Sequence, residues 1–178
     1  MSDMAGALTQ LADAVGHSAG EELGAALQKI KHCLGQLTDE QIWWRESEGR
    51  NSIANLLLHL CGNLRQWIVS GVGGVPDIRE RQKEFDERRP IEMAHLIQQV
   101  EQTVHAAQTV LRRVTSEELL QVRRIQGFDV TAIQAIFDSV AHFRGHTQEI
   151  VHITRSLLDD DYKFDFVPAS TEQGALQA

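Results

Sequence analysis

The sequence holds three prolines, two cysteines and one tyrosine in 178 residues, and no run of about 18 apolar residues. Each scarcity excludes something. Three prolines leave the backbone free for long regular elements. Two cysteines, Cys33 and Cys61, cannot build the disulfide framework of a small secreted protein, so a reducing cytoplasm is the expected setting. Without a long apolar run there is no candidate membrane helix, and the first twenty residues lack the basic-then-apolar layout of a secretion signal. Basic residues are outnumbered as well, 17 against 25 acidic ones, for a net charge of −8. A surface of that sign repels phosphate backbones. Neither nucleic acid nor a membrane is an expected partner.

What remains is 42% hydrophobic and 24% charged, the balance of an ordinary globular chain. Its length suits one domain with a substantial core. We expect that domain over residues 1–166 and a flexible tail over 167–178.

The apolar spacing is helical. Leu23, Leu27, Ile30 and Leu34 mark a first helix over Ser18 to Leu37. Thr38-Asp39-Glu40-Gln41 has the capping-box form and predicts a short turn from Asp39 to Trp44. Asn51 or Ser52 caps a second helix that runs to about Ser70, with a stripe of Ile53, Leu56, Leu57, Leu60, Leu64, Trp67 and Ile68. A glycine cluster ends it, and Val72 to Arg89 reads as a long ordered connection with a helical turn near Phe85. A third helix spans Ile91 to Val114, and Thr115-Ser116-Glu117-Glu118 caps another turn. An irregular or extended stretch, Val122 to Val130, leads into a fourth helix from Thr131 to Leu158. Four long helices and one long connection between the second and third predict an all-α four-helix bundle with a crossover. Phe164 or Phe166 is expected to dock the start of the tail.

Serine nucleophile elbows, phosphate-binding loops and paired-cysteine zinc motifs are absent, and histidine stands out instead. His142 and His146 lie four apart on the fourth helix, so their imidazoles project from one face and can chelate one ion. Eight histidines in this length give about a third of such a pair by chance, so spacing alone is weak. His146 falls within the apolar arc of that helix, among Ile136, Val140, Phe143, Ile150, Ile153 and Leu157, and His142 at its edge. Such a pair is either two hydrogen-bonded core histidines or two ligands of a shared cation. His59 borders the stripe of the second helix beside Asn63, Gln66 and Ser52, a polar strip that lines either water or a pocket.

Three blocks together carry a resemblance. Asn51-Ser52-Ile53-Ala54-Asn55-Leu56-Leu57-Leu58-His59 through Ile68, Asp77-Ile78-Arg79-Glu80-Arg81 with Glu84-Phe85, and Val140-Ala141-His142-Phe143-Arg144-Gly145-His146-Thr147 resemble the DinB-like superfamily, and within it an uncharacterised bacterial branch. The resemblance covers about residues 20 to 166. It implies a four-helix bundle that often forms homodimers and holds a divalent metal, zinc or nickel, on three histidines. Residue by residue, His59, His142 and His146 match those ligands.

The superfamily includes mycothiol-dependent maleylpyruvate isomerase and bacillithiol S-transferase. The resemblance therefore implies a metal-dependent thiol transferase or related enzyme acting on a small electrophile with a low-molecular-weight thiol cosubstrate. A non-catalytic metal-binding stress or interaction protein is the alternative. Where the branch often has Gly-Gln, this chain has Gln148-Glu149; Glu149 either orients an imidazole or is a solvated carboxylate. Asn63, Trp67, Ser139 and Glu149 are the pocket candidates. His17, His32, His95, His105 and His152 match no ligand position, and Cys61 is turned about 200° from His59 around its helix. Trp43, Trp44, Trp67 and Phe85 read as core, with Trp67 also a candidate pocket wall. Arg79 and Arg81 either bind an anion or tie the connection to the bundle by salt bridges.

Overall fold

The computed structural model describes residues 2–165. The long helices are α1 (Ser2–Leu34), α3 (Ile53–Leu64, continued by a π-helical segment Arg65–Val72), α5 (Met93–Leu111) and α7 (Ala132–Leu158). Between them lie the short helices α2 (Asp39–Trp43), α4 (Arg81–Asp86) and α6 (Ser116–Leu120), and a hairpin of β1 (Val122–Ile125) and β2 (Phe128–Thr131). The tail proposed for 167–178 and the docking of Phe166 lie outside the described residues.

Local chemistry sets most boundaries. Thr38, Ser52 and Thr115 each cap a helix with a full capping box, and Thr131 caps α7 by accepting from the Gln134 amide. Each cap satisfies an amide that the first helical turn leaves without a partner. The apolar faces of the four long helices then close one core that includes Leu23, Ile30, Leu57, Leu64, Val100 and Phe143.

α1 and α3 each pack against both α5 and α7. Leu111 meets Gly16 and Glu101 meets Lys31, so α1 and α5 run antiparallel. His142 meets His59, and Ser139 shares a cavity with Asn63, so α3 and α7 are antiparallel too. The connection after α3 retraces that helix from its end to its start. Asp77 accepts from Gln66, Glu84 reaches His59, the Glu84 and Glu87 carbonyls accept from Asn55, and the Ile91 carbonyl accepts from Trp43. α5 therefore begins beside the start of α3 and runs parallel to it, which is the expected crossover.

Five details depart from the sequence reading. α1 begins sixteen residues before Ser18, because its early periodicity is carried by Ala12, Gly16 and Ala19, small residues where a Cβ on Gly16 would stand 2.1 Å from the Leu111 carbonyl oxygen. The end of the second helix takes π geometry, as in the bond from the Gly73 amide to the Ile68 carbonyl. The stretch before α7 is a two-stranded hairpin whose turn, Gln126-Gly127, has φ of 50° and 87°, the positive values of a tight hairpin turn. Trp44 is 45% exposed rather than core, and Phe85 is half-buried against the His59 ring. The segment after α7 docks through Tyr162, which is buried and meets His32 edge-on, rather than through Phe164, which is 59% exposed.

Candidate metal centre

α3 and α7 face each other across the bundle, and their facing surfaces bring three imidazoles together. His59, His142 and His146 each offer a ring nitrogen within 4.8 Å of the others. Their ring centroids are 4.5–5.1 Å apart, and Nε2 of His59 lies 2.9 Å from Nε2 of His142. His59 is buried and the other two are half-buried, so the cluster sits between core and solvent.

Carboxylates orient two of the rings. Glu84 Oε2 lies 3.0 Å from Nδ1 of His59, and Glu149 Oε2 lies 2.7 Å from Nδ1 of His146. Arg79 Nη2 also lies 3.1 Å from His59 Nδ1. An ionised carboxylate only accepts, so the contact with Glu84 Oε2 places the proton on His59 Nδ1, and Arg79 Nη2 donates to Glu84 Oε2 at 2.8 Å. Nε2 of His59 is then a bare lone pair, and by the same argument so is Nε2 of His146.

The charges agree with this tautomer. Burial pushes the Glu84 carboxyl up, but the hydrogen bonds from Arg79 and His59 and their charge outweigh it and hold it below the usual carboxylate range. Burial, reinforced by the neighbouring His146, His59, Arg79 and Arg81, lowers His142 to about 4, which keeps it neutral at pH 7. Three imidazoles whose ring nitrogens converge within 4.8 Å are accommodated by a cation or a shared proton between them. The donor set therefore fits a divalent ion: three nitrogens, two of them backed by carboxylates, with room beside them.

That room is a cavity of about 290 Å³ lined by His59, His142, Asn63, Trp67 and Ser139 together with Arg79, Arg81, Gln126 and Asp138. The structure thus places Asn63, Trp67 and Ser139 beside the histidines and Glu149 on the far side of His146. Glu84, Gln126 and Asp138 are site residues that the sequence reading did not assign. The Arg79 to Glu84 spacing, a charged cluster in a connection, was a usable signal for the first. Gln126 had none, since only the hairpin brings it to Trp67, whose Nε1 donates to it at 3.2 Å. Arg79 is committed to Glu84 and Gln66, tying the connection to the bundle.

The other candidates fall elsewhere. Cys61 is buried on the far side of α3 against Thr103, and burial pushes its thiol up to about 11. Cys33 is buried and raised for the same reason. His32 bonds the Lys163 carbonyl, while His17, His95 and His152 are exposed.

A family described as "Protein of unknown function (DUF1572)" matches residues 13–171. No curated protein matches. Among solved structures, a conserved protein from Enterococcus faecalis is similar with a TM-score of 0.68 and 15% identity, over 78% of this chain and 94% of the other. A DinB-like protein from Bacillus cereus is similar with a TM-score of 0.60 and 15% identity, over 76% of this chain and 85% of the other. The chain has the DinB-like fold.

Proposed function

This chain belongs to the DUF1572 family, and we propose that it is a metal-dependent enzyme in which His59, His142 and His146 hold one zinc or nickel ion. The observation that carries the reading is the convergence of three imidazole nitrogens, two oriented by Glu84 and Glu149, beside a cavity that His59 and His142 line. Ligand nitrogens at about 2.0–2.2 Å from the ion are expected. When bound, such an ion supplies a Lewis-acid position that lowers the pKa of water or of a thiol.

The chain's own residues do the rest. Glu84 and Glu149 hold protons on the outer nitrogens and keep the inner ones free. Trp67 and Phe85 shield the cluster from bulk water, which strengthens the electrostatics inside. Cys33 and Cys61 are buried, protonated and remote, so the nucleophile comes from outside the chain. We assign a transferase that joins a low-molecular-weight thiol to a small electrophile in the cytoplasm.

Metal analysis of protein purified without a histidine tag or chelator is the first test, expected at one ion per chain. Loss of thiol on adding a reactive electrophile such as 1-chloro-2,4-dinitrobenzene is the second. Metal without any thiol chemistry identifies the non-catalytic metal-binding protein instead.

The chain is also proposed to form a homodimer. Met4, Leu8 and Leu11 leave an exposed apolar stripe on α1, and Phe137 of α7 is 63% exposed beside a groove lined by Val15, Ala19 and Val140. Sedimentation should give twice the chain mass, and Phe137→Glu should give the monomer.

A further inference from the structure

Two polar side chains beside the histidines carry a buried oxygen without a partner among the described residues. Asn63 follows His59 by four residues on α3, and Ser139 precedes His142 by three on α7, so each stands one turn from a histidine on the same helix face. Asn63 is 9% exposed and Ser139 2%, both line the cavity, and Asn63 Oδ1 and Ser139 Oγ make no hydrogen bond among the described residues. Leaving a buried polar atom unpaired costs about 1–3 kcal/mol. The helix backbone does not impose that cost on Ser139. Thr103, Thr147 and Thr154, equally buried, each donate to the carbonyl four residues earlier.

The charges lining the cavity are also uneven. Arg79 is neutralised by Glu84, whereas Arg81 lies over the Phe85 ring at 4.7 Å and meets no carboxylate among the described residues. Asp138 lines the same cavity and meets no cation there. Among the described residues, one cation and one carboxylate without a charged partner and a neutral hydrogen-bonding pair thus surround a space just below the usual range for ligand sites. A second negative charge on a ligand would face Asp138, and a second positive one Arg81.

We propose that the cavity binds a small amino-carboxylate, with Arg81 facing the carboxylate, Asp138 the ammonium, and Asn63 and Ser139 hydrogen-bonding the group held over the histidines. This deepens the metal-enzyme reading and rests on it only for the attachment of that last group to the ion. The ligand completes the hydrogen bonding of two buried groups, which is the strongest source of discrimination a small site has.

The test is calorimetric titration of the zinc-loaded full chain with L-serine, ethanolamine and 3-hydroxypropionate, which share the hydroxyl and lack neither, the carboxylate and the ammonium respectively. Serine should bind saturably and the other two at least tenfold more weakly. Asn63→Leu and Ser139→Ala should each weaken serine at least tenfold while leaving the melting temperature unchanged or higher, because they remove an unpaired buried atom. A purely structural role for either residue predicts the opposite shift in melting temperature. Equal binding of the three compounds, or serine binding unaffected by Asn63→Leu and Arg81→Gln, means simple chelation at the ion and overturns the proposal, as does no binding of serine. Failure of the chain to take up zinc rejects the metal centre separately; serine titration of the metal-free chain, with the same variants, then decides the pocket.

Discussion

Glu84 Oε2 meets Nδ1 of His59 at 3.0 Å, although the two residues are separated by a π-helical segment, a glycine turn and a connection that doubles back along α3. Glu84→Gln keeps the shape and removes the charge that fixes the His59 tautomer. Metal affinity should fall about 10–100-fold, measured by competition with a chromogenic chelator, with little change in fold. Glu149→Gln should cost less, because Glu149 is half in solvent. Equal losses at both would show that burial of the Glu84 contact is not what matters.

Gly62 makes that contact sterically possible. A Cβ there would lie 1.9 Å from Glu84 Oε1 and 2.9 Å from Arg79 Nε. Gly62→Ala gains helix propensity of about 1 kcal/mol, yet it should weaken metal binding as much as Glu84→Gln does. Wild-type affinity in this variant would mean that the carboxylate can move away without consequence.

His146→Ala should lose most bound metal, since two imidazoles on separate helices chelate poorly. His152→Ala, exposed on the same helix, should lose none. Elemental analysis of both variants decides it, and full occupancy in His146→Ala would remove the site assignment and the enzyme reading together.

The cysteines give a pH signature. Burial raises the Cys61 thiol from its ordinary 9.0 to about 11, so folding favours the protonated form. The stability this contributes is complete below about pH 9 and is lost as the pH rises through about 11. Urea unfolding at pH 8 to 11 should show the decline. Iodoacetamide at pH 8 should label Cys61 only after unfolding, and rapid labelling of the folded chain would contradict the burial argument.

Much of this was legible in local chemistry. The caps at Thr38 and Thr115, the helix start at Asn51 or Ser52, the leucine stripe of α3 and the His142–His146 spacing are relations within a few residues, and a helix converts them into geometry without help from the rest of the chain. The early part of α1 was missed because alanine and glycine carry its buried face, and their small apolar area is a weak periodic signal.

Other features exist only in three dimensions. Nothing in Asp77 to Glu84 says which way the connection turns, so the pairing of Glu84 with His59 waits for the crossover to lay it against α3. The hairpin turn at Gln126-Gly127 is local, but its arrival over Trp67 is not. The unpaired state of Asn63 and Ser139 is a property of the assembled cavity alone. Backbone periodicity alone marks the four long helices apart from the start of α1, and it shows that His142 and His146 share a face. The packing of distant segments set Glu84 against His59 and left Asn63 and Ser139 open, because those relations depend on distances that no single helix fixes, whereas the Glu149–His146 contact lies within one turn of α7.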